Sequence, residues 1–121
     1  MKIAPSLLSA DFANLASELK DIEKAGADLV HLDVMDGHFV PNLTFGCPII
    51  KALRKHTTLP FDVHLMTEHP EVYFDDLSKA GAAMVSFPAE AAVHHDRLVP
   101  AIQEKEMKAG IALNPGTPLS M

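Results

Sequence analysis

"KAGADLVHLDVMDGH", residues 24–38, decides how the rest of the chain is read. Lys24, Ala25 and Gly26 close a helix over "FANLASELKDIEKAG", whose apolar residues Leu15, Leu19 and Ile22 recur at helical spacing. "ADLVHLDVM", at 27–35, follows as a buried strand that carries His31 and Asp33 inside it. Polar groups cost free energy to bury unpaired, so a histidine and a carboxylate two positions apart on such a strand call for a chemical reason. Asp36, Gly37 and His38 already belong to the loop beyond it.

The same junction recurs downstream. "KAGAAMV" at 79–85 echoes "KAGADLV" at 24–30, again a helix end running into a strand. Between and around the two echoes the pattern alternates. "KIAPSLL" near the start reads as a first strand. "CPIIKALRKH" is a helix with Pro48 in its first turn. "PFDVHLM" is a third strand, "HPEVYFDDLSKAG" a helix, and "AAMVSF" a fourth strand. "HHDRLVPAIQEKEMKAG" is expected to be a helix through Gly110, and "IALNPGTPL" a fifth strand with its loop.

Strand and helix in alternation imply parallel pairing through right-handed crossovers, an α/β fold. Alternation alone suits both an open doubly wound sheet and a closed eightfold barrel. No Gly-rich dinucleotide fingerprint follows the first strand, where "PSLLSADF" stands. Polar residues gather instead at the strand ends: Ser6, His31 with Asp33, His64, Glu90 and Asn114. In a barrel these sit at the C-terminal mouth, where such enzymes keep their active sites. The expectation from the pattern is a parallel α/β barrel, or part of one, in one domain over residues 1–121.

Bulk properties fit that reading. At 121 residues, 48% of them hydrophobic, the chain can build one core and not two. A net charge of −6 with ten scattered Lys and Arg argues against a nucleic-acid or anionic-membrane surface. One cysteine, Cys47, excludes an internal disulfide and fits a reducing compartment. "MKIAPSLLSADF" has none of the long apolar run of a signal peptide, so a cytoplasmic protein without membrane spans is expected.

Strand side chains alternate with period two, so His31 and Asp33 share a side, as do Asp62 and His64. Parallel strands in step would bring His31, Asp33 and His64 to one point. Two imidazoles and a carboxylate suit a borderline divalent ion such as zinc, iron, manganese or cobalt. A lone strand histidine is ordinarily a hydrogen-bonded core residue, and three ligand types at matching strand ends weigh against that. Asp36 and His38 are expected to be loop polar residues, and His56, His69, His94 and His95 ordinary surface positions.

"IAPSLLSADFANL", "ADLVHLDVMDGHFVPNLTFG", "FDVHLM" and "GIALNPGTPL" closely resemble the ribulose-phosphate 3-epimerases, from residue 2 to the end of the chain. The resemblance implies a parallel (β/α)8 TIM barrel, of which this chain covers roughly the first half, β1 to β5, and which interconverts ribulose 5-phosphate and xylulose 5-phosphate. It implies that His31, Asp33 and His64 are three of four metal ligands, and that Asp33 is also one of two acid/base carboxylates. Ser6 matches the serine that contacts substrate, and His64 also faces the substrate. Met35 and Met66 resemble methionines packed near the reacting carbon, and Asn114 and Gly116 resemble the loop after the fifth strand.

The implied chemistry removes the C3 hydrogen next to the C2 ketone, forms an enediolate, and returns a proton from the opposite face. A small sugar phosphate is the implied partner. The resemblance also sets two departures. The chain stops after the fifth strand, short of the family's second catalytic aspartate and its phosphate-gripping loops. Pro88, in "SFPAEAAVH", replaces the family's usual histidine, while Glu90 and Ala91 keep its "EA". A half barrel leaves open edges, so pairing with a second copy into a homo-oligomer is expected. Alternatives are an allulose-6-phosphate 3-epimerase, or a catalytically incomplete half-barrel serving only as an assembly module.

Overall fold

Four strands form one parallel sheet in the order β1-β2-β3-β4, in a computed structural model that describes residues 1–91 and 94–120. They are β1 (Val30–Met35), β2 (Phe61–Met66), β3 (Ala82–Pro88) and β4 (Lys108–Ala112). Each strand follows a helix: α1 (Leu15–Lys24), α2 (Cys47–Leu53), α3 (Phe74–Lys79) and α4 (His95–Gln103). This is the α/β arrangement of a partial TIM barrel.

The two faces of the sheet differ because side chains alternate along each strand. Val30, Leu32, Phe61, Val63, Leu65, Val85 and Phe87 are buried, packed with Leu19, Ile50, Leu77 and Ile102 of the helices. Burying each such side chain contributes about 1.5–3 kcal/mol, which pins the register. The other face carries His31, Met35, Asp62, His64, Met66, Met84 and Ser86, all half-buried, with Asp33 buried among them.

Two expected elements come out differently. The first strand is reduced to a single bridge between Ser6 and His31. Ile3 and Pro5 lend carbonyls to Leu29 and His31 N–H at 3.2 and 2.9 Å. Pro5, however, has no N–H with which to extend the ladder.

The last helix ends at Gln103 rather than Gly110, and β4 begins at Lys108. Glu106 takes the left-handed conformation with φ 61. Its N–H donates to the Gln103 carbonyl at 3.0 Å, and Met107 N–H to that of Ile102 at 3.4 Å. That is a Schellman stop, the one Gly26 makes at the end of α1 with φ 86. A third "KAG", at 108–110, thus lies inside a strand.

Candidate active site

Asp33 and His64 are direct neighbours across the β1–β2 ladder, as are His31 and Asp62, and Met35 and Met66. Parallel register places all six on one face. His31 Nε2 lies 3.0 Å and His64 Nδ1 3.6 Å from the same oxygen, Asp33 Oδ1. One donor atom each from His31, Asp33 and His64 falls within 4.8 Å of the others, a candidate metal site. Two imidazole nitrogens and a carboxylate oxygen, aimed at one point on rigid strands, fit a divalent ion's partial coordination shell.

Around that point the carboxylate is held from both sides. Ser6 donates its hydroxyl to Asp33 Oδ2 at 2.7 Å. Ser6 Oγ also caps the turn Leu7–Ser9 by accepting from Leu8 N–H at 3.2 Å. Thr44 reaches back from the loop: its hydroxyl donates to the Asp33 carbonyl at 2.8 Å and accepts from Met35 N–H at 3.0 Å. His31 Nδ1 meets Asp62 Oδ2 at 3.0 Å. Burial pushes the His64 imidazole below its ordinary range; Asp33 pulls it up and His31 down, with the net shift downward. A neutral ring keeps a lone pair for coordination.

The structure therefore assembles Ser6, His31 and Asp33 into one close-contact group with His64 3.6 Å from Asp33, and the half-buried Met35 and Met66 lie beyond it towards the strand ends. Asn114 and Gly116 stand apart, exposed in the loop after β4. Asn114 N–H donates to Glu90 Oε2 at 3.2 Å, and Pro115–Gly116 form the turn closed by Thr117 N–H on the Asn114 carbonyl. The Thr117 hydroxyl, with the Asn114 N–H, holds the Glu90 carboxyl below its ordinary range. These contacts tie the β3 and β4 loops together.

Asp36 proves to be a loop-building residue. It accepts from the N–H groups of His38, Phe39 and Glu68 at 2.8–2.9 Å. His38, His56, His69 and His94 are exposed, but His95 is not an ordinary surface position. It is half-buried, its Nε2 on the Ala89 carbonyl and its ring against Phe87, because the turn Ala89–Ala91 brings the start of α4 back onto the end of β3. Pro88 is the last residue of β3 and is buried. Sequence reasoning gave no role to Asp62 or Thr44. Asp62 repeated the two-residue spacing of His31 and Asp33, which was a usable signal. Thr44 offered none.

Comparison with known proteins settles the lineage. A family model described as "Ribulose-phosphate 3 epimerase family" matches residues 2–121. The chain belongs to the ribulose-phosphate 3-epimerase family. It is 54% identical over 121 residues to "Ribulose-phosphate 3-epimerase" of Bacillus subtilis (strain 168), covering all of this chain and 56% of the relative. It is 53% identical over 118 residues to the protein of that name from Rhodobacter capsulatus, covering 98% of this chain and 52% of the relative. "Ribulose-phosphate 3-epimerase, cytoplasmic isoform" of Oryza sativa subsp. japonica is 50% identical over 119 residues, covering 98% and 52%. The chain thus spans about half the length of these epimerases. Among the described residues no helix is long and apolar enough to cross a membrane.

Proposed function

We propose that the protein interconverts D-ribulose 5-phosphate and D-xylulose 5-phosphate by moving the proton on C3, with Asp33 as one of two acid/base groups. The observation that carries this reading is the convergence of His31, Asp33 and His64 on one point within 4.8 Å, in a chain of this family. The hydrogen on C3 is acidified by the neighbouring C2 ketone, and its loss gives an enediolate. His31, Asp33 and His64 would hold a divalent ion, zinc, iron, manganese or cobalt, whose positive charge stabilises the enediolate's negative charge.

The chain's own residues do the rest. Asp33 takes the C3 proton on one face, held in orientation by the Ser6 hydroxyl on Oδ2. Met35 and Met66, side by side on the ladder, give the reacting carbon an apolar wall that excludes water. Inversion needs a second acid on the opposite face, which we place in the part of the barrel that the longer relatives have and this chain does not span. On the same reading residues 1–121 are one domain, the protein works in the cytoplasm, and its barrel assembles as a homo-oligomer.

The test is incubation with D-ribulose 5-phosphate and a divalent ion in D2O, followed at C3 by NMR. Deuterium appearing at C3 of ribulose 5-phosphate reports Asp33 acting alone, and xylulose 5-phosphate reports both acids. Asp33→Asn is expected to lower either signal by about 10²–10⁴-fold. A protein that binds the ion and yields neither signal defeats the proposal.

A further inference from the structure

We propose that Asp62 is a positioning residue that fixes which nitrogen of His31 carries the proton, and so keeps Nε2 open to a cation. The inference rests on the reading of His31, Asp33 and His64 as cation ligands. His31 stands between two carboxylates: Nδ1 is 3.0 Å from Asp62 Oδ2, and Nε2 is 3.0 Å from Asp33 Oδ1. A neutral imidazole has one N–H to give. Donated to Asp33, that proton occupies the nitrogen facing His64 and blocks it. Donated to Asp62, it leaves the Nε2 lone pair pointing at the cluster.

Geometry favours Asp62 as the anchor. It is the ladder partner of His31, so the contact is set by sheet register rather than by a mobile loop. It lies outside the ligand group, so binding a cation does not compete for it. Asp33, by contrast, already takes the Ser6 hydroxyl on Oδ2 and turns Oδ1 to both histidines. Carboxylates that accept the second N–H of a ligating histidine orient the ring, and their loss typically weakens metal binding 10–100-fold. Ser6, Asp33, His31 and Asp62 thereby stand in one row of contacts of 2.7–3.0 Å from the N-terminal segment across β1 to β2.

Two variants of Asp62, whose side chain is 28% exposed, separate positioning from packing. Asp62→Ala removes the acceptor, and Asp62→Asn keeps one in the amide oxygen. The readouts are the 15N shifts of the neutral His31 ring in metal-free protein and the affinity for Co2+ by its absorption. Wild type and Asp62→Asn are expected to hold the proton on Nδ1. In Asp62→Ala it moves to Nε2, with Co2+ binding weakened about 10–100-fold. An unmoved proton or an unchanged cobalt affinity in Asp62→Ala overturns the inference. If Asp62→Ala does not fold, Asp62→Asn with its proton on Nε2 does the same. Wild-type protein that binds no Co2+ overturns the cation reading together with the positioning role; wild-type binding with an unmoved variant overturns the positioning role alone.

Discussion

Asp36 shows how much one side chain beside the site can carry without doing chemistry. Its carboxylate accepts from His38 and Phe39 in its own loop and from Glu68 in the loop after β2, stitching together the two loops that follow β1 and β2. Burial pushes the carboxyl up, but the three N–H groups and nearby His38 outweigh it and hold it below the ordinary range. A carboxyl depressed in the folded state stabilises the fold above its unfolded value of about 4 and loses that contribution as pH falls through the folded one. Asp36→Asn is therefore expected to cost about 0.5–1.5 kcal/mol near neutral pH, since one exposed N–H meets an amide group instead of an acceptor. The gap from wild type should begin to shrink below about pH 4, where the carboxyl of the unfolded chain takes up its proton, and close at the lower pH where Asp36 is protonated in the folded state as well. Urea unfolding at the two pH values checks this, and a pH-independent gap would refute it. At this scale the candidate cluster was legible, because His31, Asp33 and His64 declare themselves by type and by period two. Their supports were not. Thr44 reaches Asp33 from eleven positions away, and the Asp62 contact exists only once β1 and β2 are in register.

Elements were legible where local signals agreed. Gly26 and Gly81, each with positive φ, end α1 and α3 as the "KAG" junctions imply. The third "KAG" misleads, because the stop is made two residues before it by Glu106, a residue type with no such signature. A side chain in the left-handed region costs roughly 1–2 kcal/mol, partly offset in a substitution by the greater freedom glycine has when unfolded. Glu106→Gly should raise stability by about 0.5–1 kcal/mol, while Glu106→Ala should not, since alanine keeps the Cβ. Chemical denaturation of the pair decides: equal effects would mean that φ at 106 is not the source. Pro5 is the opposite case, a visible residue whose missing N–H was enough to demote the first strand to a bridge.

The whole sheet presents a problem that no single element solves. Among the described residues β4 is an edge, with Ile111 46% exposed, and the opposite edge is covered by the N-terminal segment, where Ile3 is 59% exposed. Between them the face bearing His31, Asp33 and His64 is half open. Parallel strands admit a simple closure: a twofold axis along the strand direction leaves every strand pointing the same way. It sets the β4 edge of each copy against the N-terminal edge of the other. Unpaired edges and exposed apolar side chains favour that association over a lone sheet. The 121-residue polypeptide by itself is accordingly expected to self-associate, sedimenting as a dimer at high micromolar concentration and dissociating on dilution. Ile111→Lys puts a charge on the β4 edge, the device natural sheets use against edge pairing, and should return it to monomer. Sedimentation of both chains gives the answer. A wild-type chain that stays monomeric throughout would mean that Ile3, Ile111 and the open face are tolerated in water, and the edge argument would fall.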